Sequence, residues 1–166
     1  MPTPPNIAAA ASALAVLVAV VFGSLTIYQW RRARHLSAAA ELVRTIQTPE
    51  FTRAIARLMD LPADADADTV ATDAEAIAAV NMATHVFESL GVLVFHRLLP
   101  LHLVDDLLGG YVRSSWRRVK PFVVARRAVL GASIGEWFEW LADRMEENPS
   151  PGKRLGAHVA HRRWRP

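Results

Sequence analysis

DAEAIAAVNMATHVFESLGVLVFHR, running from Asp73 to Arg97, decides the architecture. Ile77, Val80, Thr84, Phe87, Gly91, Val94 and Leu98 recur at alternating intervals of three and four, the repeat of one continuous helix face. Met82, Val86, Leu90 and Leu93 make a second apolar row. A helix that is apolar on two faces belongs at the centre of a bundle. Gly91, in its middle, costs about 1 kcal/mol of helix propensity, which predicts a neighbouring helix in close contact there.

Helical signals extend to both sides. Upstream, Thr48-Pro49-Glu50 combines a capping threonine, proline at the first helical position and an acid at the positive end of the dipole. The helix it opens, FTRAIARLMD, should end near Asp60, because Pro62 biases Leu61 away from helical geometry. Downstream, Pro100 opens a short helix, LHLVDDLL, which Gly109-Gly110 is expected to terminate. A longer helix then runs from Tyr111, bent or restarted at Pro121, to Gly131. Ser133 is placed to cap a last helix that ends before Asn148-Pro149. No stretch alternates with period two between turn residues, so no sheet is expected.

The first thirty residues differ in kind, with no charged side chain from Met1 to Trp30. Ile7 to Trp30 reads IAAAASALAVLVAVVFGSLTIYQW; as a helix it would run about 36 Å, enough for a hydrocarbon core of roughly 30 Å. Tyr28 and Trp30 fall at its end, where amphipathic rings favour the membrane interface, and Arg31, Arg32 and Arg34 follow. Basic residues on that side only place the C-terminal part in the cytoplasm and the N-terminus outside. A cleaved signal peptide would carry its basic cluster before the apolar run and small residues at its exit, the reverse of this pattern. No later segment is expected to form a second span, because Leu90 to Leu108 is broken by His96, Arg97, Pro100, Asp105 and Asp106.

Several short motifs imitate sites. Asp64, Asp66, Asp68, Val70, Thr72 and Glu75 have the ligand spacing of a calcium-binding EF-hand loop, but the sixth position is Thr69 where the turn needs glycine. Thr72 with Glu75 reads better as a capping box for the central helix. Gly131-Ala-Ser-Ile-Gly135 matches the nucleophile elbow of hydrolases, and Asp143 with His158 or His161 follows in the right order. That motif needs a strand-to-helix turn, and Ser133 with Glu136 forms another capping box. His85 with Glu88, and His102 with Asp105, share helix faces, but a bundle metal site needs more inward carboxylates. Absence of cysteine removes disulfides, thiolate metal sites and a cysteine nucleophile. Neither catalytic, metal-binding nor cofactor-binding residues are assigned.

The end of the chain is basic. Lys153, Arg154, Arg162, Arg163 and Arg165 follow the last acid, Glu147, and against a net charge of +3 they leave −2 for everything before them. With Trp164 among them, they suit anionic lipid headgroups or an acidic partner. Nucleic acid is not expected, and no glycine-rich phosphate loop is present.

The run from Val86 to Arg127, followed by WFEWLADRM, resembles a bacterial family of short membrane-anchored proteins that carry a helical domain of unknown function. Its pattern is a Phe-Glu-x-Leu-Gly helix, a short Asp-rich helix, then Gly, Trp and Pro leading to a final Phe-Glu-x-Leu helix. Here these are Phe87, Glu88, Leu90 and Gly91; Asp105 and Asp106; Gly110, Trp116 and Pro121; and Phe138, Glu139 and Leu141. The likeness covers Phe51 to Glu147, departing where Leu99-Pro100 replaces a Gly or Asp before the short helix. It implies a helical architecture behind a membrane helix and no reaction, and its motif residues are those that packing alone would require.

The expected fold class is all-α: one N-terminal transmembrane helix, then a small cytoplasmic bundle of about five helices. The boundaries are a short segment over 1–6, the span over 7–30, a helical extension over 31–48, the domain over 49–147 and a basic, disordered tail over 148–166. The functional expectation is an interaction or regulatory module at the membrane rather than an enzyme. The alternatives are a metal-dependent helical domain and a structural subunit of a larger membrane complex. Expected partners are the bilayer and a protein, with anionic lipid as a further contact for the tail. Self-association through the face from Ile77 to Leu98 is open.

Overall fold

A computed structural model of the chain describes residues 5–62, 65–149 and 156–165, with side chains of 30–36 and a few other helical positions outside the description. Every regular element among the described residues is a helix. The chain divides into two compact units, Met1–Ala40 and Glu41–Pro166.

The first unit is formed by α1 (Pro5–Ile46), whose last residues pass into the second. Its stretch Ala11–Gln29 is long and apolar enough to cross a membrane, and no residue there is buried. The extension of the helix past Trp30 ends at Ile46, where the sequence places it.

The second unit is a bundle around one helix. α2 (Pro49–Asp60) begins as expected: the Thr48 hydroxyl accepts from the Phe51 amide at 3.3 Å, and Leu61 leaves in extended geometry before Pro62. α4 (Ala74–Phe95) packs against α2, the short α3 (Ala67–Ala71), α5 (Leu101–Leu130) and α6 (Glu136–Glu147). Against the expectation that no later segment qualifies, its length and composition would also allow it to cross a membrane, but 44% of that stretch is buried inside the bundle. The Phe87 ring is the hub, 6.0 Å from Phe51 of α2 and 4.8 Å from Phe138 of α6, which in turn meets Trp116 of α5 at 5.0 Å. Val80, Phe87, Gly91 and Val94 are buried, so much of the face considered for self-association is already used by the core. Gly91 meets its neighbour as expected: a Cβ there would come within 2.4 Å of the Trp137 carbonyl oxygen. Met82, from the second apolar row, is exposed.

Three local expectations are corrected. Gly109-Gly110 does not end a helix, because α5 runs unbroken from Leu101 to Leu130 and carries Pro121 within it. Burial of Val104, Leu108, Val112, Trp116, Val119 and Phe122 along one side holds it through these weak positions. Ser133 does not cap α6, which starts at Glu136 after Gly135 in left-handed geometry (φ 68°). Thr72 closes α3 instead of opening α4; Asp73 caps α4, accepting from the amides of Glu75 and Ala76. Two short helices carry no clear sequence signal: α3 itself, and the four-residue α7 (Ala157–Ala160) in the basic tail.

Candidate functional site

The calcium-like stretch is built as two helix caps. Asp66 receives the Thr69 hydroxyl at 2.5 Å and the Thr69 amide at 2.7 Å, which hold its carboxyl below the ordinary value. Asp73 is held low by the Ala76 amide and then by Arg57 of α2, its ion-pair partner. Val70 is fully buried and its carbonyl takes the Asp73 amide, while Asp64 lies outside the described residues. Among the described residues, Asp66 and Asp73 thus serve helix ends, one for α3 and one for α4. No group of three or more His, Asp or Glu suited to a metal occurs among the described residues.

The turn carrying Ser133 joins two helices, and its anchor is Arg127. That side chain donates from Nε to the Ile134 carbonyl at 2.7 Å and from Nη1 to Glu139 at 2.6 Å. Lys120 reaches the other Glu139 oxygen at 3.1 Å. Partial burial pushes the Glu139 carboxyl up, but the hydrogen bonds and charges of Arg127 and Lys120 outweigh it and leave the group below its ordinary value. Ser133, His158 and His161 are exposed.

A second charge pair was not read from sequence. Asp105 is fully buried and takes the Arg113 guanidinium at 2.6 Å, eight residues along the same helix, with Glu146 of α6 at 3.9 Å. Gly109 lies between them: a Cβ there would sit 1.9 Å from Asp105 Oδ1. The spacing Asp-x3-Gly-x3-Arg carries the signal, because three residues four apart stack along one helix face. On α4, Thr84 Oγ1 and Glu88 Oε1 are buried without a hydrogen-bond partner among the described residues. His85 is exposed on that helix, and His102 is exposed on α5.

Besides a smaller apolar groove of about 310 Å³ between α3 and α5, two charged surfaces are open among the described residues. One is a groove of about 560 Å³ between α2 and α4, with an alanine floor, the exposed Met82 and a charged rim. The other is the tail: Arg162, Arg163, Trp164 and Arg165 are exposed, whereas Lys153 and Arg154 lie outside the described residues. Of the interface residues expected near the membrane, Tyr28 is exposed on α1; the side chains of Trp30, Arg31, Arg32 and Arg34 lie outside the described residues.

A family model for a domain of unknown function, DUF4760, matches residues 7–145. The chain belongs to this family. No curated protein and no solved structure matches it. The DUF4760 match takes in the apolar helix together with the bundle. The residues that carried the resemblance are largely core: Phe87, Leu90, Trp116, Phe138 and Leu141 are buried, and Glu139 is held by its two cations. Asp106, Gly110 and Pro121 are exposed.

Proposed function

We propose that this DUF4760 chain is a single-pass protein of a bacterial cell membrane, whose cytoplasmic helical unit is a protein-interaction or regulatory module and not an enzyme. The observation that carries the reading is the contrast between two apolar helices. α4 hides its apolar surface in the bundle, whereas Ala11–Gln29 of α1 has none of its residues buried and needs a nonpolar surrounding. Arg31, Arg32 and Arg34 follow that stretch, which favours the N-terminus outside and the bundle inside, with Tyr28 and Trp30 at the interface.

The interaction part of the reading rests on what the side chains do. Asp66, Asp73, Asp105 and Glu139 serve caps and ion pairs, while the α2–α4 groove and the tail cations face solvent. At a membrane, each basic residue near an anionic surface gains about 1 kcal/mol, so the tail is an electrostatic arm toward an anionic surface, lipid or protein. The test is affinity purification from membranes in mild detergent, comparing the full chain with one lacking residues 150–166. A stoichiometric protein partner supports the module. If nothing co-purifies with either form, the interaction reading fails.

A further inference from the structure

We infer that the α2–α4 groove is the docking site for the C-terminal tail of a second copy of this chain. The inference rests on the reading of the tail as an arm toward an anionic surface, and names that surface.

Charge is the first argument. On the groove rim Arg53 pairs with Glu50 at 3.1 Å and Arg57 pairs with Asp73, so the rim cations are already matched within the fold. Asp60 and Glu75, also on the rim, form no salt bridge among the described residues. Asp60 is moreover the last residue of α2, where the helix dipole is negative and a carboxylate is disfavoured. An incoming guanidinium relieves that repulsion and meets both acids. Arg163 and Arg165 supply two, on a segment where Arg162, Arg163 and Arg165 face no acid after Glu147.

Shape and surface chemistry are the second. Beyond those acids the groove floor is alanine, and Met82, two turns further along α4 than Glu75, is 38% exposed. Between the two arginines stands Trp164, 71% exposed. An indole laid on a thioether is a favourable contact, and methionine adapts to what it receives. The groove volume of about 560 Å³ falls in the usual range for sites that take a large side chain or small ligand. The tail's arginines thus answer the two unmatched acids, and its indole answers the exposed methionine further along the groove. Chains anchored in the same orientation present tails and grooves on one membrane face, which raises their effective concentration.

The chain has no cysteine, so single thiols can be placed at will. Ala56→Cys puts one in the groove and His161→Cys puts one beside the arginines, both at exposed positions. The two full-length variants are co-expressed with different tags, purified in mild detergent and treated with a short bismaleimide. The mixed product should dominate over both like-with-like products. Asp60→Lys with Glu75→Lys should reduce it about tenfold, the effect of two rim pairs reversed, and Arg163→Glu with Arg165→Glu in the partner should restore it. A mixed product no stronger than the like-with-like ones, or one indifferent to charge reversal, overturns the docking. So does cross-linking confined to a single chain carrying both cysteines. Sedimentation of the same full-length protein with phosphatidylserine vesicles separates the two levels. Lost docking with retained, tail-dependent vesicle binding overturns the groove and leaves the electrostatic arm, whereas loss of both removes the arm as well.

Discussion

At the scale of single residues, two adjacent glycines in α5 have opposite meanings. A Cβ at Gly109 would collide with the buried Asp105 carboxylate, whereas one at Gly110 meets nothing within 4 Å. Gly109→Ala should therefore destabilise the bundle by about 3 kcal/mol through forced displacement of the Asp105–Arg113 pair. Gly110→Ala should stabilise it by up to about 1 kcal/mol, since alanine is the better helix former. Arg113→Met, which strands a buried carboxylate, should cost about 3–5 kcal/mol. Urea titrations followed by circular dichroism check all three, and equal effects at the two glycines would refute the assignment. In sequence the Gly-Gly pair reads as a helix stop, because glycine is a poor helix former. The pair's real function needs a contact that is invisible until the helix exists.

At the scale of elements, α4 was the most legible part of the chain. Its periodicity gave its extent, its centrality and the close approach at Gly91, because burial on several sides leaves a dense apolar pattern. Gly91→Ala should separate α4 from α6 and cost about 2–3 kcal/mol, with unfolding monitored by tryptophan fluorescence near Trp137. The beginning of α6 was less legible, since its anchor lies in another helix: Arg127 holds both the Ile134 carbonyl and Glu139. That link has a pH signature. The folded Glu139 carboxyl is more acidic than the unfolded one, so its contribution is complete above the ordinary Glu value of about 4.3 and is lost as pH falls through the lower folded value. Arg127→Ala should cost about 2 kcal/mol at neutral pH and flatten the loss of stability below about pH 4.5. An unchanged acid limb in the variant would exclude the link. Caps at Asp66 and Asp73 titrate in the same sense, so the difference between variant and parent is the quantity to read.

At the scale of the whole molecule, the sequence announced its two parts through charge alone: none to Trp30, all of it after. The structural division into Met1–Ala40 and Glu41–Pro166 follows the same line about ten residues later, because α1 continues as one helix past the apolar stretch. What the molecule does was far less legible, since Asp66 and Asp73 act as caps, Ser133 sits in a turn, and most of the family motif is core. A fragment spanning 41–166 should fold without detergent and keep the cooperative unfolding of the bundle, as its aromatic core from Phe51 to Phe138 is internal to it.

The measurement that tests the central claim most directly is carbonate extraction of bacterial membranes carrying the full chain, with the N-terminus sequenced from the recovered protein. The account predicts a chain that stays in the membrane pellet with α1 still attached. A chain released into the supernatant, or one that has lost α1 by cleavage, would contradict it.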